Sequence, residues 1–112
     1  ERANLKMANL LGANLYKSNL QGTNFTRADL REATLSLSDL RGANFRDANL
    51  CMVNFNGANL NGANFDGANI AMANFWNVQL DDKQLLAKLI YQSELPMKST
   101  PNGPRMPVAT VN

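Results

Sequence analysis

The chain has 112 residues, with 11 Lys and Arg against 9 Asp and Glu, a formal charge of +2, 45% hydrophobic residues, 1 Cys and no His. That is material for one domain. Without histidine there is no Ser/His/Asp or Cys/His arrangement and no imidazole-liganded zinc site, and Cys51 alone cannot cross-link the chain to itself. Apolar runs of only a few residues cannot cross a roughly 30 Å hydrocarbon core, so neither a transmembrane span nor a signal peptide is expected within these residues.

Residues 1–80 divide into sixteen consecutive fives without a phase break, from ERANL, KMANL and LGANL through to AMANF and WNVQL. The third place is always small or β-branched (eleven Ala, two Ser, two Val, one Thr). The fourth is polar (twelve Asn, two Asp, one Thr, one Gln), and the fifth is large and apolar (ten Leu, five Phe, one Ile). The first two places vary. Six of the seven glycines occupy the second place, whereas all four prolines lie at 96 or beyond.

A period of five excludes a long helix, because about 100° per residue smears residues 5, 10, 15 and 20 around the cylinder. It also breaks the alternation of two that a single flat strand requires. Both constraints are met if each five is a short extended piece, third and fifth residues inward, followed by a corner through the next two. Glycine in second place suits that corner, since the third residue of a type II turn needs a positive φ.

Sixteen tandem units of this pattern resemble the pentapeptide repeat family across residues 1–80. The resemblance implies an all-β fold, a right-handed quadrilateral β-helix of four coils, each of four pentapeptides, with the fifth-place residue central on each wall. Stacking by twenty gives the columns Leu5, Phe25, Phe45, Phe65; Leu10, Leu30, Leu50, Ile70; Leu15, Leu35, Phe55, Phe75; and Leu20, Leu40, Leu60, Leu80. Every Phe then falls in two columns, whereas stacking by fifteen scatters the five rings over three. The core is expected to build up by stacking neighbouring coils, as in other solenoids.

The fourth-place Asn residues read as architecture and not as a ligand site, because a position filled alike on every wall bonds to nearby backbone. Asp29, Thr34, Asp39 and Gln79 read as tolerated substitutes, and Asp29 and Asp39 as lying on opposite walls, so not a catalytic pair. Charged rungs are expected one coil apart, Arg27 with Asp47 and Arg46 with Asp66, each worth about 0–1 kcal/mol. Residues 1–80 carry seven basic and six acidic groups, so no stripe of either sign is expected, and direct nucleic-acid binding is not. The less ordinary outer feature is apolar: Leu11, Cys51, Met52, Ala71 and Met72 on one corner, and Tyr16, Leu37 and Trp76 on the next. Leu11, Tyr16, Leu37, Cys51, Met52, Met72 and Trp76 are therefore the candidate partner surface, unless the C-terminal segment covers it.

After residue 80 the pattern ends. DDKQLLAKLIYQSELP predicts a helix over about 82–94, with Asp81 or Asp82 as N-cap and Pro96 beyond its end. Its stripe of Leu85, Leu86, Leu89 and Ile90 is expected to plug the last coil, as a capping segment over 81–96, or else to dock a partner. Residues 97–112 are expected to form an extended tail. Glu1 begins in mid-pattern, so the chain reads as the C-terminal part of a longer protein, one that could be membrane-attached; the resemblance also implies a family abundant in cyanobacteria. No catalytic, cofactor or metal residues are assigned. The expectation is a non-enzymatic structural or protein-interaction module, a scaffold for an unidentified protein partner, cytoplasmic, monomeric or weakly associated end to end. The alternative implied by the resemblance is a DNA-mimicking protector or inhibitor of a DNA-acting enzyme such as gyrase, a role that calls for a strongly acidic, elongated surface.

Overall fold

Between residues 21 and 60 every backbone donor of a pentapeptide finds an acceptor by a rule that repeats along the solenoid, and the fold follows from that rule. In the computed structural model, residues 2–98 are described. The corner closes when the third-place N–H donates to the fifth-place carbonyl three residues back, as from Ala8 to Leu5 at 3.0 Å. This places the second-place residue at positive φ in all sixteen units. Only six of them are glycine; the other ten, from Arg2 to Asn77, hold φ between 52° and 61°. A left-handed conformation costs a residue that bears a Cβ about 1–2 kcal/mol, so the corner is imposed by the surrounding bonds and not chosen by the residue. At Gly57 and Gly67 the missing Cβ has a second use: one built there would run into the side chains of Leu37 and Asp47.

The remaining donors join layers. The fourth-place residue makes a parallel bridge to the residue twenty positions on, from Asn4 with Asn24 to Asn59 with Gln79. Around each bridge the pattern is constant: Leu10 N–H donates to the Asp29 carbonyl at 2.7 Å, Asp29 N–H to the Ala8 carbonyl at 2.9 Å, and Met7 N–H to the Thr26 carbonyl at 2.9 Å. Residues 21–40, 41–60 and 61–80 are thus each bridged to the residues twenty positions before them.

Only the first-place N–H lacks a backbone acceptor, and the fourth-place side chain provides one from two residues back. Asn4 Oδ1 accepts from Lys6 at 3.1 Å, Asn54 Oδ1 from Asn56 at 2.9 Å and Asn74 Oδ1 from Trp76 at 2.8 Å. The substitutes do the same work, with Asp29, Asp39 and the Thr34 hydroxyl as acceptors. Gln79 is the exception: the N–H two residues on, that of Asp81, donates to Asn61 Oδ1 at 2.7 Å.

Third- and fifth-place side chains fill the interior. Phe25, Leu30, Leu35, Leu40, Phe45, Leu50, Phe55 and Leu60 are fully buried. The rings stack at the twenty-residue spacing, Phe25 on Phe45 at 5.0 Å and Phe45 on Phe65 at 5.1 Å, with Phe55 on Phe75 at 5.1 Å. Between the two columns the rings meet edge to face, as in Phe45 with Phe55 at 5.7 Å. Of the polar third-place residues, Ser38 is satisfied: its hydroxyl donates to the Leu15 carbonyl at 2.6 Å and accepts from Ser18 N–H at 3.0 Å. The buried Thr23 hydroxyl has no partner.

The helix α1 spans Lys83–Lys98. Asp82 is its N-cap, accepting from Leu85 N–H at 3.0 Å, which decides between the two candidates. It continues across Pro96 and past the expected end near 94. Residues 97 and 98, expected in the extended tail, are therefore helical, and the rest of that expected tail, from 99, lies outside the described residues. Leu86, Leu89 and Ile90 join the solenoid's core, with Leu85 packed at its margin. Met72 N–H, which has no further layer to bond, donates instead to the Ser93 carbonyl at 2.7 Å. Consequently Phe65, Ile70, Phe75 and Leu80 are buried beneath α1, whereas Leu5, Leu10 and Leu15 at the opposite end are only half-buried.

Thr23→Val keeps the shape and removes the orphaned hydroxyl, so it should raise stability by roughly 1–3 kcal/mol, while Phe45→Ala on the same wall should cost about 3–5 kcal/mol. Urea unfolding midpoints check both; a destabilised Thr23→Val would mean that the hydroxyl is hydrogen-bonded after all.

Candidate functional site

The repeat commits its third, fourth and fifth places to core and ladder, so the variable side chains of the solenoid's own corners are those of the first and second places. All seven residues singled out from the sequence occupy these corner places. Leu11, Tyr16, Leu37, Met52, Met72 and Trp76 are exposed, and Cys51, a free thiol, is half-buried.

They do not form one continuous patch. Leu11 is separated from Cys51 by the layer carrying Arg31 and Glu32, and Arg31 is held in an ion pair there. Tyr16 lies in the first layer with the Lys17 ammonium 5.4 Å from its ring centroid, and the Leu37 side chain is spent covering Gly57. Cys51, Met52, Ala71 and Met72 occupy adjacent layers of one corner. Met72 (49% exposed) and Trp76 (44% exposed) flank the outermost wall. Between that wall and α1 runs a cleft of about 240 Å³, lined by Ala73, Asn74, Phe75, Ile90, Ser93 and Glu94 together with Met72 and Trp76. Across α1 a second cleft, about 510 Å³, is lined by residues 63–68 with Leu85, Lys88, Leu89 and Gln92. Sequence reasoning missed two exposed apolar residues. Met7 follows the same second-place rule as Met52 and Met72, and Tyr91 falls one residue past the apolar stripe of α1, on its open side.

The charges pair differently from the expectation. Neither Arg27 with Asp47 nor Arg46 with Asp66 forms an ion pair. Asp47 instead leans over Gly67, where no Cβ stands in the way, and Arg46 turns to its neighbour Asp47 at 3.9 Å. The close pairs lie within the corner itself, Arg31 with Asp29 at 2.7 Å and Arg41 with Asp39 at 2.6 Å, each arginine also donating through Nε. An aspartate in fourth place thus accepts both the turn N–H and the guanidinium of the residue that supplies it. Gln21 Nε2 adds a bond to Asp39 at 3.1 Å. Among the described residues no group of three or more His, Cys, Asp or Glu could hold a metal ion, and no helix is long and apolar enough to cross a membrane.

With this geometry in view the likenesses to known proteins are informative. The pentapeptide repeat region matches residues 1–85, and the chain belongs to that family, a β-helix of the pentapeptide repeat type. No match was found among curated protein sequences. Among solved structures it is similar to Rfr23, a pentapeptide repeat protein from the cyanobacterium Cyanothece 51142, at 30% identity and a TM-score of 0.58, over 72% of this chain and 52% of that one. It is similar also to QnrB1, a plasmid-mediated fluoroquinolone resistance protein, at 29% identity and a TM-score of 0.64, over 77% of this chain and 41% of that one. The chain therefore spans about half the length of the first and two fifths of the second.

The Arg31 guanidinium, hydrogen-bonded to the carboxylate, holds the Asp29 carboxyl below the usual aspartate range, with the Arg31 backbone N–H adding to the effect; Arg41 does the same for Asp39. A carboxylate whose value is depressed on folding adds stability above its unfolded value, roughly pH 3.9, and loses that contribution as pH falls below it. Carboxyl-carbon NMR should place the Asp29 midpoint below the ordinary range and return it toward that range in Arg31→Ala, leaving Asp39 unmoved. An unchanged Asp29 midpoint in the variant would remove Arg31 as the cause.

Proposed function

We propose that this chain is a non-enzymatic protein-interaction module: a right-handed quadrilateral β-helix of four coils over residues 1–80, closed at one end by a helical cap over 81–96. Handedness and square section are carried over from the family. The four-coil count is supported by the twenty-residue bridging and the capping role by the burial of Leu86, Leu89 and Ile90. The working surface in this reading is the junction of the last coil with α1, where Met72 and Trp76 stand exposed on either side of an apolar-floored cleft. That observation carries the proposal, because large flexible and aromatic side chains are over-represented where proteins bind proteins. The partner is a protein; the other five candidate residues are peripheral to it.

A second reading is favoured by one observation, the likeness to the fluoroquinolone resistance protein QnrB1. It makes the chain a protector or inhibitor of a DNA-acting enzyme such as gyrase through mimicry of the duplex. The near balance of charge over residues 1–80 speaks against it, as do the arginines that neutralise Asp29 and Asp39.

Immobilised chain should retain a specific protein partner that is lost from a Met72→Lys, Trp76→Lys variant of unchanged melting temperature; equal retention by both would contradict the proposed surface. In a supercoiling assay the chain should leave gyrase activity and its quinolone sensitivity unchanged. Dose-dependent inhibition or protection would transfer the conclusion to the second reading.

A further inference from the structure

An asparagine followed by glycine is open to attack on its amide carbon by the next backbone nitrogen, because glycine carries no Cβ to obstruct the approach. Two such pairs lie in equivalent places of adjacent pentapeptides, Asn56–Gly57 and Asn61–Gly62. We propose that Asn61 is a site of spontaneous covalent modification, conversion to aspartate and isoaspartate, and that the fold leaves it open to attack while protecting Asn56.

The two differ in what holds the attacking nitrogen. Gly57 N–H donates to the Trp76 carbonyl at 2.9 Å, and Leu60 N–H in the same wall to the Gln79 carbonyl at 2.8 Å, so this wall is laddered on both sides. Gly57 is also covered by the Leu37 side chain. Asn61–Gly62 begins the outermost layer. Among the described residues neither Gly62 N–H nor Phe65 N–H has an acceptor there, and Gly62 is exposed.

They differ equally in the group attacked. The Asn61 amide oxygen accepts the Asp81 N–H at 2.7 Å. A donor at that oxygen draws electron density from Cγ and stabilises the negative charge that collects on the oxygen as a nucleophile adds. No group among the described residues donates to the Oδ1 of Asn56.

The step balances with water alone. Gly62 nitrogen gives up its proton to a solvent base and bonds to Asn61 Cγ; the bond from Cγ to Nδ2 breaks and ammonia leaves. Water then opens the cyclic imide at either carbonyl, giving aspartate or isoaspartate. The product places a new carboxylate beside Asp81, one residue before the N-cap of α1, and the isoaspartate form adds a methylene to the backbone at that corner.

Peptide mapping by mass spectrometry after incubation of the folded chain in mildly alkaline buffer tests this directly. Residue 61 should convert about tenfold faster than residue 56, the factor expected if attack at Asn56 must first release one backbone hydrogen bond of ordinary net strength. In denaturant the two should convert at matching rates, since the dipeptides are identical. Conversion at residue 56 as fast as at 61 in the folded chain would overturn the proposal, and so would a folded chain in which neither converts while both do in denaturant.

Discussion

The constraint on which the whole molecule depends is the fate of the first-place N–H. A polypeptide that turns every five residues can satisfy four of its five donors with backbone acceptors, one in the turn and three between layers. The fifth has none within reach, and a partly buried donor without an acceptor costs about 1–3 kcal/mol. Repeated at the five corners where this bond is partly buried, those of Thr26, Ser36, Cys51, Asn56 and Asn61, that cost approaches the stability of an ordinary domain. A side-chain oxygen on a short stem two residues back removes it. This accounts for the fourth place being Asn, Asp or Thr, and for the bond made elsewhere at the one Gln, whose stem is a methylene longer.

The same accounting shows where strain is tolerated. Ten residues other than glycine sit at positive φ, each at a local cost, because the turn and the ladder on either side of them leave the corner no other closure. It shows, too, where the fold leaves freedom. The first two places of each unit contribute neither core nor ladder side chains, so the surface can vary from one corner to the next without touching the solenoid. The exposed methionines, Tyr16, Leu37 and Trp76 all occur there. The outermost layer has lost half its partners, and α1 replaces some of them with three apolar side chains and one carbonyl.

Much of this was legible in the residues alone. The third- and fifth-place pattern identified the interior, and the distribution of five phenylalanines chose a spacing of twenty over fifteen; Phe25 does lie over Phe45 and Phe65. The helix and its buried stripe were readable because their period differs from that of the repeat. The ion pairs were not. Column arithmetic places Arg27 beside Asp47, but side-chain direction at a left-handed corner is set by where the neighbouring layer leaves room, and Gly67 leaves it for Asp47. The motif that does pair, an Asp in fourth place followed two residues later by Arg, stands in the sequence at 29 with 31 and at 39 with 41. It becomes meaningful only once the side-chain acceptor of the turn is known. The break in the apolar corners was hidden for a related reason, since columns show which residues align and not which intervening rung is charged.

The role assigned to the fourth-place oxygen is open to a direct measurement at Asn54, in the middle of the solenoid, whose Oδ1 holds the Asn56 N–H. Amide hydrogen exchange at Asn56 and the free energy of unfolding should be compared between the parental protein, Asn54→Asp and Asn54→Ala. The account predicts retained protection in Asn54→Asp, and in Asn54→Ala rapid exchange at Asn56 with a loss of about 1–3 kcal/mol. Protection and stability unchanged in Asn54→Ala would contradict it.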